Sequence, residues 1–254
     1  AVSSYFESFY GYGLAPNEVV VTVGAKFALY AFFASVLNQD DEVIIPTPYW
    51  VSYADQVKMV GGRPVFAVGT QETDFKVTVA QLDVLKTDKT RVLLLNSPSN
   101  PTGMIYTSAE LTEIGNWAVA HDVLILADDI YGRLVYNGNN FTPISTLSDA
   151  IKAQTIIING VSKTYAMTGW RIGFAVGNPE IIGAMSKIAS QTTSNPSAVA
   201  QYAAIEALTG DQSTVETMRL AFEERLNTIL PLINEVPGFE AIKPQGAFYL
   251  FPKV

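Results

Sequence analysis

The sequence predicts an α/β fold in three layers, in which helices flank both faces of a mostly parallel mixed sheet of about seven strands. Short apolar, β-branched runs alternate with longer segments of helical period, a pattern typical of strands joined by helical crossovers. Runs such as Val-Leu-Leu-Leu and Val-Leu-Ile-Leu-Ala are apolar without interruption, which indicates strands buried on both faces. With 48% hydrophobic and 16% charged residues, the composition excludes a disordered chain.

Seven apolar runs are predicted to be the strands. In chain order they are 19–23, 42–45, 64–68, 91–95, 123–127, 155–158 and 172–176. Helical periodicity predicts helices between them at 25–37, 49–60, 79–85 and 108–121, and then at 180–190, 196–208 and 214–232. No repeat, low-complexity tract or linker divides the chain, so we expect one α/β domain with a helical C-terminal part.

Charge and composition exclude several classes of partner. The 254 residues include 16 Lys and Arg against 24 Asp and Glu, a formal net charge of −8. Nucleic acids and anionic membranes are bound by clustered basic residues, so we expect neither as a partner. The chain has no cysteine and a single histidine, His121. One histidine without cysteines cannot form a metal site. With no long apolar stretch and no signal-peptide pattern, we expect a soluble, cytoplasmic protein.

A lysine and an arginine form the sharpest local signal. Lys163 lies among small and apolar residues after a predicted strand, beside Ser162, and Arg171 follows eight positions later. A lysine in dry surroundings loses its proton more easily, and its neutral amine can form a Schiff base with an aldehyde. A guanidinium nearby suits a phosphate, with which it makes a bidentate pair. By spacing alone, a surface lysine and a structural arginine are an equal alternative.

Two other predicted strands end in polar side chains. Asn100 lies in an Asn-Pro-Thr-Gly turn, and Asp128, Asp129 and Tyr131 follow the strand at 123–127. The carboxyl ends of strands are where α/β proteins place ligands. An ordinary Pro/Gly turn would explain the first segment on its own. A metal pair at the two aspartates lacks the further acid or histidine that it would need.

A strand-to-helix turn and an aromatic residue complete the set of candidates. In Gly24-Ala25-Lys26, backbone N–H groups at a helix start would point towards an anion. The turn lacks the Gly-x-x-x-x-Gly-Lys-Ser/Thr pattern of nucleotide-binding loops. Trp50 follows another predicted strand, and packing in the core is its alternative role.

Together these segments resemble the class I aminotransferases, the aspartate aminotransferase family of fold type I. The stretch 159–173 is similar to the family's pyridoxal-phosphate lysine motif, and four separated motifs agree in order and type. The C-terminal stretch 244–249 resembles the start of the family's small domain. The resemblance therefore implies the large domain of a fold type I transferase that depends on pyridoxal phosphate.

The resemblance also implies pyridoxal 5'-phosphate as the cofactor and a role for each catalytic residue. Lys163 would be the Schiff-base lysine and proton shuttle. Asp128 would keep the pyridine nitrogen protonated, which makes the ring an electron sink. Asn100 and Tyr131 would hydrogen-bond to the ring hydroxyl.

The remaining candidates are assigned to the phosphate, the ring face and the substrate. Arg171 and Ser162 would hold the cofactor phosphate, together with the turn formed by Gly24, Ala25 and Lys26. Trp50 would stack on the pyridine ring. The candidate substrate-binding residues are Lys26, Trp50 and Asn100, with Lys26 placed near a distal carboxylate, as in the bacterial branch of the family.

The expected reaction is amino-group transfer from an L-amino acid such as aspartate to a 2-oxo acid such as 2-oxoglutarate, by a homodimer with sites at the subunit boundary. A carbon–sulfur lyase or a decarboxylase of the same fold would use the same lysine, phosphate clamp and acid. A third alternative is the cofactor-binding sensor domain of a transcription regulator, although no basic helix-turn-helix module is visible.

The resemblance implies that the chain covers only part of the family pattern. We expect residues 1–254 to be the cofactor-binding large domain, with residues 241–254 leading into a small domain that is missing. The N-terminal arm is expected to be missing too, with the chain beginning in the helix that follows it. The small domain would carry the arginine that binds the substrate α-carboxylate. The residues for cofactor chemistry are therefore expected in this chain, and the main anchor of the substrate is expected outside it.

Overall fold

A mixed sheet of seven strands forms the middle layer of the protein, described by a computed structural model that covers residues 1–254. The strands are β1 (Val19–Thr22), β2 (Glu42–Thr47), β3 (Arg63–Val68), β4 (Thr90–Asn96), β5 (Leu124–Asp128), β6 (Thr155–Gly160) and β7 (Gly173–Val176). Their order across the sheet is β1-β7-β6-β5-β4-β2-β3. Only β7 runs antiparallel to its two neighbours, so the predicted mostly parallel mixed sheet is confirmed.

Nine helices connect and cover the strands. They are α1 (Val2–Phe9), α2 (Ala25–Val36), α3 (Ser52–Met59), α4 (Val79–Leu85), α5 (Ser108–Ala120), α6 (Asp149–Gln154), α7 (Pro179–Thr192), α8 (Ala198–Thr209) and α9 (Ser213–Asn234). Local sequence explains several starts. Thr107 and Glu110 form a reciprocal capping box at α5, and the Asn178 side chain accepts from Glu180 N at the start of α7. None of the nine helices combines the length and apolar character that crossing a membrane requires.

The helices cover both faces of the sheet, as the uninterrupted apolar strands predict. Along β5, Ile125 joins a core cluster with Trp117 of α5, whereas Leu126 joins the opposite cluster with Phe32 of α2. The first cluster also contains residues of α1, α4, α6 and α8, and the second contains residues of α3 and α7. Because side chains alternate along a strand, two helical layers bury it completely.

Local differences from the sequence prediction lie at element ends. Strand β2 extends to Thr47, and α3 begins at Ser52 rather than at residue 49, because residues 48–51 form the turn that joins them. Strand β5 ends with Asp128 itself. Helix α6 has six residues, which is too short to show a helical period, and it was not predicted.

Candidate active site

A cavity of about 250 Å³ lies at the carboxyl ends of β4, β5 and β6. This is the edge at which open α/β sheets bind ligands. Register places the ends of these strands side by side, with Asn96 paired to Asp128 and Asp128 paired to Ile158. Nine of the ten predicted site residues line the cavity: Ala25, Lys26, Trp50, Asn100, Asp128, Tyr131, Ser162, Lys163 and Arg171. The tenth, Gly24, borders it as the N-cap of α2.

Lys163 follows β6 and is half-buried in the cavity. Its amine has no carboxylate within ion-pair distance, and it lies 5.5 Å from the ring centre of Phe248. Burial and the nearby Arg171 cation lower the pKa of Lys163, while Asp128 opposes this shift. The lowered pKa increases the fraction of neutral amine, which is the nucleophilic form.

Arg171 and the start of α2 form a cationic cradle. A Cβ added to Gly24 would lie 2.4 Å from Nη2 of Arg171, and the φ of Gly24 is +86°, so this position requires glycine. The guanidinium is held by its Nη1 bond to the Thr168 carbonyl, at 2.8 Å. Gly173 allows the turn to approach the sheet, since a Cβ there would lie 2.2 Å from Ala25 N. The first N–H groups of a helix lack acceptors within it, so this end can bind an anion.

Asp128, the last residue of β5, also lines the cavity and is 3% exposed. Its Oδ2 accepts a 2.7 Å hydrogen bond from the Tyr53 hydroxyl, and its Oδ1 accepts from Ile130 N at 3.3 Å. Burial raises the pKa of Asp128 to about 6, although both hydrogen bonds and Lys163 act in the other direction. Sequence reasoning missed Tyr53, because nothing in the local pattern of α3 links it to a strand end 75 positions later.

The neighbouring Asp129 faces away from the cavity. Its Oδ2 accepts a 2.9 Å hydrogen bond from the Tyr10 hydroxyl, and Asn159 donates to the same hydroxyl at 3.0 Å. Of the two adjacent acids, only Asp128 lines the cavity.

Asn96, the last residue of β4, ties two candidates together. Its Nδ2 donates to the Asp128 carbonyl at 2.9 Å, and its Oδ1 accepts from Asn100 N at 2.7 Å. Sequence reasoning did not single out Asn96. The Asn-x-Pro-x-Asn spacing contained the signal, because both asparagines stand at one strand end.

Two tyrosine hydroxyls meet beside Asn100. The hydroxyls of Tyr131 and Tyr249 are 2.6 Å apart, and Asn100 Nδ2 donates to the Tyr249 hydroxyl at 3.2 Å. Tyr249 lines the cavity and was also missed as a site residue.

Trp50 and Lys26 also line the cavity and contact each other. The amine of Lys26 lies 4.8 Å from the centre of the Trp50 ring, and Trp50 meets the Tyr53 ring edge to face at 5.3 Å. Lys26 is exposed, so this cation is at the mouth of the cavity rather than at its base.

The charges of the lining suit a ligand with two different ends. The cavity is lined by three basic side chains, Lys26, Lys163 and Arg171, and by one acidic side chain, Asp128. The cradle suits a phosphate, because glycine at position 24 lets the Arg171 guanidinium lie against the start of α2. A protonated ring nitrogen fits the buried carboxylate. The donor set therefore matches pyridoxal 5'-phosphate.

Comparison with known proteins identifies the family. The family model "Aminotransferase class I and II" matches residues 1–254. The chain belongs to this family. Its aspartate aminotransferase-like members depend on pyridoxal phosphate, and the solved structures it resembles are fold type I aminotransferases, which confirms the expected cofactor and fold type.

Individual relatives are similar over nearly all of the chain. An asparagine–oxo-acid transaminase of Streptococcus mutans is 68% identical over 254 residues, which are 100% of this chain and 65% of that protein. An aspartate aminotransferase of Bacillus sp. strain YM-2 is 56% identical, over 94% of this chain and 61% of that protein. The crystal structure of the Rhizobium meliloti aspartate aminotransferase superposes with a TM-score of 0.96 at 39% identity, covering 99% of this chain and 63% of that one. The chain thus spans 61% to 65% of the length of these relatives.

Proposed function

We propose that the protein transfers an amino group between an L-amino acid and a 2-oxo acid, with pyridoxal 5'-phosphate bound in the cavity. The observation that carries this proposal is one lysine of lowered pKa that shares a cavity with a cationic cradle and a buried carboxylate. Family membership supports the reaction type. When bound, the cofactor supplies an aldehyde that condenses with amino groups and a ring that accepts the electron pair left when a Cα–H bond breaks.

Each residue contributes through its own chemistry. Arg171 and the N–H groups of Ala25 and Lys26 bind the phosphate, and Ser162 adds a hydroxyl. Asp128 holds the ring nitrogen, and Trp50 covers the ring face. The remaining ring contacts, to the ring oxygen, come from Asn100 and Tyr131.

Lys163 acts as the nucleophile and the proton carrier. Its neutral amine would hold the cofactor covalently through the cofactor aldehyde, with loss of water, and would be free again once a substrate amine had replaced it. The free amine then accepts the proton from the substrate Cα, and the ammonium form returns a proton in the next step. The lowered pKa of Lys163 suits both tasks, because it brings the two protonation states closer in free energy.

The substrate is proposed to be a short dicarboxylic amino acid such as aspartate, with 2-oxoglutarate as acceptor. The excess of cations in the cavity and the position of Lys26 at its mouth support a second carboxylate. Asparagine is the second candidate, because a relative at 68% identity is named for it. The ratio of kcat/KM for the two amino acids decides between them.

The test compares Lys163→Ala with Lys187→Ala, an exposed lysine of α7 outside the cavity. After incubation with pyridoxal 5'-phosphate and borohydride, mass spectrometry should find the reduced cofactor attached in the wild type and in Lys187→Ala, and not in Lys163→Ala. Equal attachment in all three proteins would refute the assignment. Product analysis then separates the alternatives. Amino transfer from aspartate yields oxaloacetate, a decarboxylase would release carbon dioxide from aspartate, and a carbon–sulfur lyase would release ammonia and pyruvate from a sulfur-containing amino acid. A sensor domain would turn over none of these substrates.

We further propose that residues 1–254 form a large domain that continues from residues 241–254 into a small domain, and that the protein is a homodimer. The apolar side chains that α8 exposes, Val199, Tyr202 and Ile205, are 71%, 75% and 46% exposed, which supports an interface. Sedimentation equilibrium measures the assembly. The cytoplasmic location stays a prediction from the sequence.

A further inference from the structure

The hydroxyl of Tyr249 lies between two groups that the proposed function assigns to the cofactor ring oxygen. It accepts from Asn100 Nδ2 at 3.2 Å and is 2.6 Å from the Tyr131 hydroxyl. The short oxygen–oxygen distance requires one hydroxyl to donate to the other. The two phenols have two protons and share one hydrogen bond, so one proton is left for a ligand in the cavity.

Polarisation favours one of the two arrangements of these protons. Donation by Asn100 withdraws electron density from the Tyr249 oxygen and makes the Tyr249 hydroxyl a better donor. Donation from Tyr249 to Tyr131 is the favoured arrangement, because it continues the cooperative chain that runs from Asn100 through Tyr249 to Tyr131. The Tyr131 proton is then free, and no protein acceptor other than Tyr249 lies within hydrogen-bond distance of its hydroxyl.

The backbone fixes Tyr249 independently of the cavity. The N–H groups of Gln245 and Gly246 both donate to the Gly103 carbonyl at 2.9 Å, and Ala247 N donates to the Leu134 carbonyl at 2.9 Å. Ala247 is fully buried and has a φ of +59°, a left-handed conformation that is rare for a residue with a Cβ. The chain turns sharply at this residue, and such positions are kept where surrounding contacts demand them.

We propose that Tyr249 is a positioning residue that directs the hydroxyl proton of Tyr131 into the cavity, towards the ring oxygen of the cofactor. The inference rests on the proposed function. It assigns a task to the C-terminal segment 244–249 that the Tyr131 and Asn100 side chains cannot perform alone. Without the Tyr249 hydroxyl, the Tyr131 oxygen loses the donor that orients its own proton, and Asn100 loses an acceptor.

The effect can be read in the pH dependence of the bound cofactor's visible absorption. A hydroxyl that donates to the ring oxygen stabilises its anionic form, so a weaker donor lets the site bind a proton more readily and raises the midpoint pH. The titratable groups that face the two tyrosines are Asp128 from β5, Tyr53 from α3 and Lys163 after β6. All three are retained in the variants used.

The experiment titrates the absorption of the pyridoxal-phosphate-loaded protein in a double-mutant cycle. Tyr131→Phe should raise the midpoint by about one pH unit or more, as expected for losing a hydrogen bond to a charged oxygen. Tyr249→Phe should raise it by roughly half a unit and weaken cofactor binding, measured by equilibrium dialysis, about threefold. Because Tyr249 acts through Tyr131, the double variant should match Tyr131→Phe alone.

Tyr136→Phe is the matched control. The Tyr136 hydroxyl donates to the Ala247 carbonyl and so holds the same segment, but it does not line the cavity. It should leave the midpoint unchanged. A half-unit shift from Tyr249→Phe that persists in the Tyr131→Phe background, or an equal shift from Tyr136→Phe, overturns the inference. A wild-type protein that acquires no visible band at all contradicts the proposed function instead.

Discussion

The end of the cavity that Arg171 lines differs from the end that Asp128 lines in how its side chains are held. Arg171 makes one hydrogen bond, to the Thr168 carbonyl, and has no carboxylate partner. Asp128, by contrast, is buried and receives hydrogen bonds from the Tyr53 hydroxyl and from Ile130 N. The donors of Arg171 are therefore largely free to bind a ligand, whereas the Asp128 carboxylate already has hydrogen-bond partners within the protein.

This difference separates binding from chemistry. A guanidinium and helix N–H groups without partners gain most when an anion arrives, so the cationic end should determine cofactor affinity. A carboxylate fixed by neighbours is already arranged for the charge that develops during the reaction, so the acidic end should determine the rate. Substitutions at the two ends should therefore change different constants.

Asp128→Asn should have the largest effect, on the rate. We expect kcat to fall about a thousandfold, because an amide cannot keep the ring nitrogen protonated. The affinity for pyridoxal 5'-phosphate should change much less, by about tenfold. Steady-state kinetics at saturating cofactor measure the first quantity, and equilibrium dialysis measures the second. Comparable losses in both constants would remove the proposed separation of the two ends.

The same substitution should stabilise the cofactor-free protein. The pKa of Asp128 rises from 3.8 to about 6 on folding, so the folded protein binds the additional proton between these values. The contribution of this proton to the free energy of unfolding is fully present below about pH 4. It is lost as the pH rises through 6, which lowers the free energy of unfolding by up to about 3 kcal/mol. Asp128→Asn should reduce this decline, which denaturant unfolding at pH 4 and pH 7 measures, and should leave the part due to Asp129, since burial raises the pKa of that carboxyl too. An unchanged decline in the variant would assign it to another group.

Arg171→Gln should have the next largest effect, and on binding. Loss of a charge-assisted, bidentate phosphate contact should weaken pyridoxal 5'-phosphate binding about a hundredfold, while kcat at saturating cofactor changes only a few-fold. Equilibrium dialysis measures the affinity. Arg91→Gln is the control, since that arginine pairs with Asp41 outside the cavity and should leave binding unchanged. A large fall in kcat with intact binding would give Arg171 a role in the reaction itself.

The cationic end was also the easier one to predict from the sequence. Its residues stand in two compact segments, at 24–26 and 162–171, and both segments resemble family motifs. The acidic end depends on contacts between distant positions. Tyr53 meets Asp128 across 75 residues, and Asn100 meets Tyr249 across 149.

A local pattern carries no information about such pairs. The strand order has the same limit, because apolar runs predict seven strands but not that β7 lies antiparallel between β1 and β6. The polar residues at the strand ends could be predicted because parallel strands bring their carboxyl ends to one edge.

Gly24→Ala tests the cradle without changing its charge. The added Cβ would lie 2.4 Å from the Arg171 guanidinium in a backbone with φ of +86°, so the arginine must shift away from the phosphate. We expect cofactor binding to weaken about tenfold and stability to fall by about 1 kcal/mol. Gly183→Ala in α7 is the matched control, because a Cβ there meets nothing within 4 Å and alanine favours the helix. Equal losses in both variants would show that the close approach at Gly24 does not matter.

Tyr53→Phe should have the smallest effect, and it should depend on pH. The Tyr53 hydroxyl donates to Asp128 and lowers the pKa of that carboxyl, so its removal raises the pKa further and leaves more of the acid protonated. We expect kcat to fall about fivefold at pH 6 and less at pH 8, where Asp128 is ionised again. Tyr106→Phe is the control, since that buried hydroxyl accepts from Val77 N away from Asp128. A loss of the same size at both pH values would mean that Tyr53 contributes packing rather than the hydrogen bond. The acidic end would then owe its arrangement to Ile130 N, to Asn96 and to the strand register.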